Sequence, residues 1–293
     1  MPWLQLKFST EQQDVDNISD YLMELGALSM TYEDAQDNPI LEPLPGETPL
    51  WDNLIVSALF DANCNTADVL DIIQQSNFAE SIKNPLFEQL EDKDWERAWM
   101  DNFHPIQFGH SLWIVPSWHE PPNPKATNIL LDPGLAFGTG THPTTALCLE
   151  WMDGASFENC SVLDYGCGSG ILAVAAAKLG AKSVTAIDID PQAIKATTDN
   201  MARNHLPDSS IERGLPEIAK NQSFDIVIAN ILAGPLKELA PSIAEKVNPK
   251  GKLVLSGLLK EQADEISQCY SKWFNMKPAV DKEDWIRLEG TKR

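Results

Sequence analysis

Paired cysteines are missing from this sequence. The five cysteines, at 64, 148, 160, 167 and 269 of 293 residues, are scattered, odd in number and never in a CxxC arrangement. That excludes a disulfide framework and a zinc ribbon, and it predicts reduced thiols. The five histidines add no metal-ligand spacing, so no metal centre is expected. Long apolar runs are also absent: none approaches the ~20 residues that a membrane helix needs. MPWLQLKFST has neither the basic start nor the apolar stretch of a signal peptide. A cytoplasmic protein is the expectation.

Positive charge is scarce in the first third. Residues 1–100 hold 20 Asp and Glu against 4 Lys and Arg, whereas residues 101–293 hold 23 against 18, and the whole chain carries −21. Such a surface repels phosphate backbones, so direct nucleic-acid binding is not expected, and a Lys-rich protein partner suits the first third. Solubility alone is the competing explanation of the same charge. With 43% hydrophobic residues the chain has enough apolar matter for one large core or two modest ones, and two domains are expected.

The pattern along the chain divides in the same place. WLQLKF (3–8) alternates as a half-buried strand, and Ser9 or Thr10 followed by Gln12 or Gln13 predicts a capped helix start. Val15, Ile18, Tyr21, Leu22 and Leu25 share one helical face, and Gly26 is placed to end the helix. Strands at 27–32 and 54–60, a Thr66-capped helix at 66–75 and a strand at 86–90 complete the unit. Strand, helix, strand, strand, helix, strand is the order of a ferredoxin-like α+β domain. We therefore expect an acidic ferredoxin-like domain over 1–91 that recognises the substrate. A linker over 92–109 should follow, with a helix that carries Trp95 and Trp99 and stops at Pro105. From Val162 onward strands and helices alternate, with PLKELAPSIAEKV (235–247) read as one helix. This predicts an α/β domain over 110–293 with a doubly wound, Rossmann-like sheet whose last strand enters antiparallel.

The informative stretch is VLDYGCGSGILAVAAAKLGAKSVTAIDID (162–190), an apolar strand, three glycines, a helix and a second strand ending on a carboxylate. A phosphate loop needs GxxxxGK[ST], but Ile171 and Leu172 follow Gly170 and the first lysine is Lys178. A dinucleotide fingerprint needs GxGxxG, but Gly166, Gly168 and Gly170 are spaced GxGxG. The third candidate is S-adenosylmethionine, which carries no phosphate and whose ribose hydroxyls suit Asp188, 22 residues after Gly166. An acid there serves a nicotinamide dinucleotide equally well. Asp164, Gly166, Gly168 and Gly170 form the expected floor of the site, with Asp188 as the ribose acceptor.

FDIVIANIL (224–232) delivers Asn230 to the carboxyl edge of the sheet beside that floor. Upstream, DPGLAFGTGTHPTT (132–145) is flexible at Gly138 and Gly140 and starts a helix at Pro143. Its threonines should turn free N–H groups and hydroxyls toward a ligand. It reads as a cofactor lid through Phe137, Gly138 and Thr139, or more blandly as a capped helix start in which His142 shapes the loop.

These stretches carry a resemblance. LDYGCGSGILAVAAAKLGA with AIDIDPQAI resembles the first two motifs of the seven-stranded S-adenosylmethionine-dependent methyltransferases. Where enzymes of that superfamily acting on nucleobase or glutamine amides carry [DN]PP[YFW], this chain has Asn230, Ile231, Leu232 and Ala233. Lacking the aromatic, it suits an aliphatic amine better than a flat acceptor. Over essentially its whole length, through the acidic first domain, the DPGLAFGTGTHPTT run and IANILAGPL, the chain resembles the ribosomal protein L11 methyltransferase family. The resemblance implies methylation of the N-terminal α-amine and lysine ε-amines of that basic ribosomal protein. It also implies that Thr145, Gly166, Asp188 and Asn230 bind the cofactor. Separately, Asn230 is expected to orient the amine through its side-chain or backbone carbonyl, and a monomer is expected. A nicotinamide-dependent oxidoreductase and a non-catalytic ribosome-assembly module with a methyltransferase fold are the rival readings.

Overall fold

The computed structural model describes residues 3–36, 49–90, 103–132 and 142–293. The chain divides into two compact units, residues 1–100 and 101–293.

In the first unit, β1 (Trp3–Glu11), α1 (Gln12–Glu24), β2 (Ser29–Asp34), β3 (Asn53–Phe60), α2 (Thr66–Gln74) and β4 (Lys83–Leu90) follow in the expected order. The strands form an antiparallel sheet ordered β2-β3-β1-β4. Alternate residues of the two central strands, Leu6 and Phe8 with Leu54, Val56, Ala58 and Phe60, bury against Val15, Ile18 and Leu22 of α1 and Val69 and Ile73 of α2. Both helices thus lie on the face those residues share. The cap at Ser9 or Thr10 does not form. Both residues stay in β1, paired with Ile55 and Leu54, and Thr10 is buried as the next inward position after Leu6 and Phe8. Two-residue periodicity prevailed over capping chemistry, and Glu11 precedes the helix with no side-chain cap bond. At α2 the cap is Asn65, whose side chain accepts from the Asp68 N–H, rather than Thr66. Gly26, at φ +100°, does end α1, with the Ala27 N–H bonded to the Leu22 carbonyl.

The second unit opens with a small sheet of β5 (Ile106–Phe108), β6 (Leu112–Val115) and β7 (Thr127–Leu130). β5 occupies part of the expected linker, and residues 103–105 carry no helix. Trp95 and Trp99 fall outside the described residues. Then come α3 (Pro143–Asp153), β8 (Ser161–Tyr165), α4 (Ile171–Lys178), β9 (Ser183–Ile187), α5 (Pro191–Arg203), β10 (Ile211–Gly214) and β11 (Phe224–Asn230). They are followed by α6 (Ala233–Glu238), α7 (Ala240–Glu245), β12 (Val247–Leu259), α8 (Ala263–Tyr270), β13 (Phe274–Met276), β14 (Val280–Lys282) and β15 (Trp285–Lys292).

The main sheet runs β10-β9-β8-β11-β12-β15-β13, with β14 beside β15. It is mixed: β10 through β12 pair in parallel, and β15 is antiparallel to both its neighbours. Successive residues of one strand face opposite layers. Val162, Ile226 and Ile228 bury with α3 and α4, and Leu163, Val227 and Ala229 with α6, α7 and α8. The helix read over 235–247 is two helices. Pro241 has no N–H to donate back to the preceding turn, so the chain breaks at Leu239.

Candidate active site

β8 has β9 on one side and β11 on the other, so the winding of the sheet reverses there. Such a reversal leaves a crevice at the carboxyl ends of the strands. The crevice is real: a cavity of about 470 Å³ is lined by Thr145, Gly166, Gly168, Asp188 and Asn230, among others. Five residues picked from three separate stretches of sequence therefore meet in one place. Phe137, Gly138 and Thr139 fall outside the described residues.

The glycine turn is built for backbone approach and held from behind. Gly166, Gly168 and Gly170 have φ of +75°, +53° and +74°, a region that costs side-chain-bearing residues ~1–2 kcal/mol. The Gly168 N–H donates to Asp188 Oδ2 (2.9 Å), and the Asp190 N–H donates to Asp188 Oδ1 (3.0 Å). From α5, the Thr197 hydroxyl donates to the Gly168 carbonyl (3.3 Å) and Asn200 Nδ2 to the Ser169 carbonyl (2.8 Å). A Cβ on Gly170 would lie 2.5 Å from Thr197 Oγ1. Sequence reading missed Thr197 and Asn200, because buried polar residues in a helix give no local sign of what they hold.

Asp164 sits behind the turn at 1% exposure. Its Oδ2 accepts the Ala173 N–H (3.0 Å), and Oδ1 is buried without a hydrogen-bond partner. Burial raises its pKa to about 7, with the Ala173 hydrogen bond opposing and the Asp188 charge adding to the rise. The cavity thus has the Asp188 carboxylate on its wall and the Asp164 carboxyl, titrating near neutral pH, behind it, and no Lys or Arg stands among its described lining residues. This charge suits a cationic ligand and disfavours pyrophosphate.

At the other end, Asn230 Nδ2 donates to Thr145 Oγ1 (3.3 Å), closing β11 onto the first turn of α3. The threonines are less free than the sequence suggested. His142 caps α3, and its Nδ1 meets both the Thr144 hydroxyl (2.8 Å) and the Thr144 N–H (3.4 Å). The His142 ring lies edge-on to Trp285, with centroids 4.8 Å apart. Burial lowers its pKa, with Glu283 opposing. Trp285 and the Tyr165, Ile189 and Leu232 side chains also line the cavity and were not anticipated. Ile189 is 84% exposed, an apolar side chain next to Asp188 with a face left for a flat apolar ligand. Among the described residues no His, Cys, Asp and Glu group could hold a metal ion.

The geometry can be set beside known proteins. The family model described as ribosomal protein L11 methyltransferase (PrmA) matches residues 2–293. The curated ribosomal protein L11 methyltransferase of Shewanella sp. (strain ANA-3) is 58% identical over 294 residues, covering 100% of both chains. That of Shewanella halifaxensis is 58% identical over 299 residues with the same coverage. Among solved structures, a ribosomal protein L11 methylase from Lactobacillus delbrueckii subsp. bulgaricus matches with a TM-score of 0.60 and 35% identity, over 65% of this chain and 100% of that one. A match of this length and identity, on a cavity built from the glycine turn, Asp188 and Asn230, places the chain in the ribosomal protein L11 methyltransferase family.

Proposed function

We propose that this chain transfers methyl groups from S-adenosylmethionine to amino groups of ribosomal protein L11, the N-terminal α-amine and lysine ε-amines. The observation that carries the reading is the charge of the cavity: Asp188 on its wall, Asp164 behind the turn, and no Lys or Arg among the described lining residues. A sulfonium donor with an ammonium tail suits such a site, and a dinucleotide does not.

In this reading Thr145, Gly166, Gly168, Asp188 and Asn230 hold the cofactor, with Asp188 accepting from ribose hydroxyls and Asp164 stabilising positive charge near the turn. Phe137, Gly138 and Thr139 belong to the same proposal. The bound cofactor supplies an electrophilic methyl group. The chain's task is to hold the accepting nitrogen in line with it at about 3–3.5 Å. Only a neutral amine attacks, and a free lysine with a pKa of about 10.4 is nearly all protonated at neutral pH. The apolar rim of Leu232 and Trp285 desolvates the ammonium and favours its neutral form. Because Asn230 Nδ2 is committed to Thr145, its Oδ1 is left to accept from the amine N–H and aim the lone pair.

We assign residues 1–91 to a ferredoxin-like substrate-recognition domain, 92–109 to a linker and 110–293 to the methyltransferase domain. The strand order β2-β3-β1-β4 with two helices on one face supports the first assignment. The 20 acidic residues against 4 basic ones within residues 1–100 suit a basic ribosomal protein.

Purified protein given methyl-labelled S-adenosylmethionine and unmodified L11 should place label on L11. Cofactor-dependent melting should respond to S-adenosylmethionine and not to NADH. No label on L11 would overturn the reading, and tight NADH binding would favour the oxidoreductase instead. Affinity for L11 should also fall as salt rises from low ionic strength through about 0.15 M, where the Debye length shortens to about 8 Å. A salt-independent affinity would refute the electrostatic dock.

A further inference from the structure

We propose that Ile231 is a positioning residue, a spacer that fixes the distance between the cofactor turn and the acceptor-side Asn230. The inference rests on the methyl-transfer reading above and concerns a residue to which that reading gives no role.

Ile231 is the first residue beyond β11, directly after Asn230. It passes between two glycines that have no space for a side chain. On one side lies Gly166 of the cofactor turn: a Cβ built there would stand 2.4 Å from Ile231 Cγ2, while Ile231 Cβ is 3.8 Å away. The branched methyl alone occupies that space. On the other side lies Gly257 of β12, where a Cβ would stand 2.4 Å from the Ile231 carbonyl oxygen, 2.8 Å from its carbon and 3.0 Å from its nitrogen. Gly257 reaches this approach at φ +83°, in a part of β12 where the register against β15 slips between Leu255 and Leu258. Asn230 pairs with Ser256 immediately before.

The backbone of Ile231 is thus seated on β12 and its Cγ2 methyl on the glycine turn. Neither can move without the other, because close-packed groups transmit displacement. Asn230 is one peptide unit away. Ile231 also lines the cavity, and misplacing a reacting group by about 1 Å costs on the order of 100-fold in rate, so one methyl contact with the turn has leverage on turnover.

The decisive comparison is Ile231→Val against Ile231→Leu. Valine keeps the branched methyl at Cβ. Leucine keeps the apolar bulk but has no branch there, and swaps of this size are tolerated by the fold. Ile231→Val should keep kcat within about two-fold, whereas Ile231→Leu should lose about ten-fold or more in kcat with the cofactor Kd changed less than about three-fold. Equal kcat for the two variants would overturn the proposal, as would a loss carried wholly by the cofactor Kd. A second measurement needs no acceptor. Gly166→Ala should abolish tight S-adenosylmethionine binding in calorimetry, and adding Ile231→Ala should restore about ten-fold of it, because the colliding methyl is gone and only the left-handed strain remains. Additive losses would sink the spacer. Wild-type protein assayed alongside separates the outcomes: no methyl transfer by the wild type refutes the function, and transfer with no Val–Leu difference refutes only the role of Ile231.

Discussion

Raising the pH of the cofactor-free protein from 5 to 8 should lower its melting temperature by several degrees, and Asp164→Asn should abolish most of that slope. Asp164 has a folded pKa of about 7, raised first by burial. The unfolded chain titrates near 3.9. Between those values the folded state binds more protons than the unfolded one, so stability falls as pH rises. The loss begins near the unfolded value and is complete above the folded one. It amounts to roughly 3 kcal/mol from pH 5 upward, at about 1.4 kcal/mol per unit.

Other groups do not mimic this. Burial pushes the thiols of Cys148 and Cys167 up to about 12, so both stay neutral throughout the window. His142 has a lowered pKa, so the folded state binds fewer protons there and its contribution rises with pH, opposite to Asp164. A positively charged ligand near the turn favours the Asp164 carboxylate. S-adenosylmethionine should therefore recover more melting temperature at pH 8 than at pH 5. Scans at both pH values, with and without cofactor, check the prediction, and a rising or flat profile in the wild type would refute it.

Asn230→Ala should reduce kcat by about 100-fold while the cofactor Kd changes several-fold less. The Asn230 side chain donates through Nδ2 to Thr145 Oγ1 at 3.3 Å, and in the proposed mechanism this leaves Oδ1 for the acceptor amine. Removing it leaves the amine unaligned and the Thr145 hydroxyl without its donor. Thr145→Val, which keeps the shape and loses the oxygen, should reproduce part of the loss, about ten-fold in kcat, because the amide is then free to rotate. Single-turnover rates with titrated cofactor separate the two quantities. Equal losses of rate and cofactor affinity on Asn230→Ala would mean that the residue binds the cofactor and does not orient the amine.

What could be read from the sequence were the parts where local pattern and tertiary role coincide. Val162 and Leu163 are apolar because both faces of β8 are buried, and glycines with positive φ follow the strand, so strand and turn announce themselves together. Asp188 and Asn230 stand out as polar residues ending apolar strands. The pairing of Asn230 with Thr145 across 85 residues was not legible, although each residue was singled out alone. Trp285 was missed for a similar reason: an aromatic residue opening a strand looks like core, and only the antiparallel path of β15 brings it to the cavity. Thr10 misled because its chemistry suits a cap and its position suits a strand, and burial decided between them. Pro241 is visible in the sequence, but a helical apolar pattern continues past it on both sides and hides the break.

β15 enters the main sheet between β12 and β13, and it begins with Trp285. During synthesis, domains generally fold as units from the amino end, yet this unit has an interior position in its sheet that residues 285–292 fill. A nascent chain halted before that point has the glycine turn and Asn230 but an open gap in mid-sheet and one wall of its cavity missing. The cavity therefore acquires its Trp285 wall only once residues 285–292 have emerged and slotted between β12 and β13.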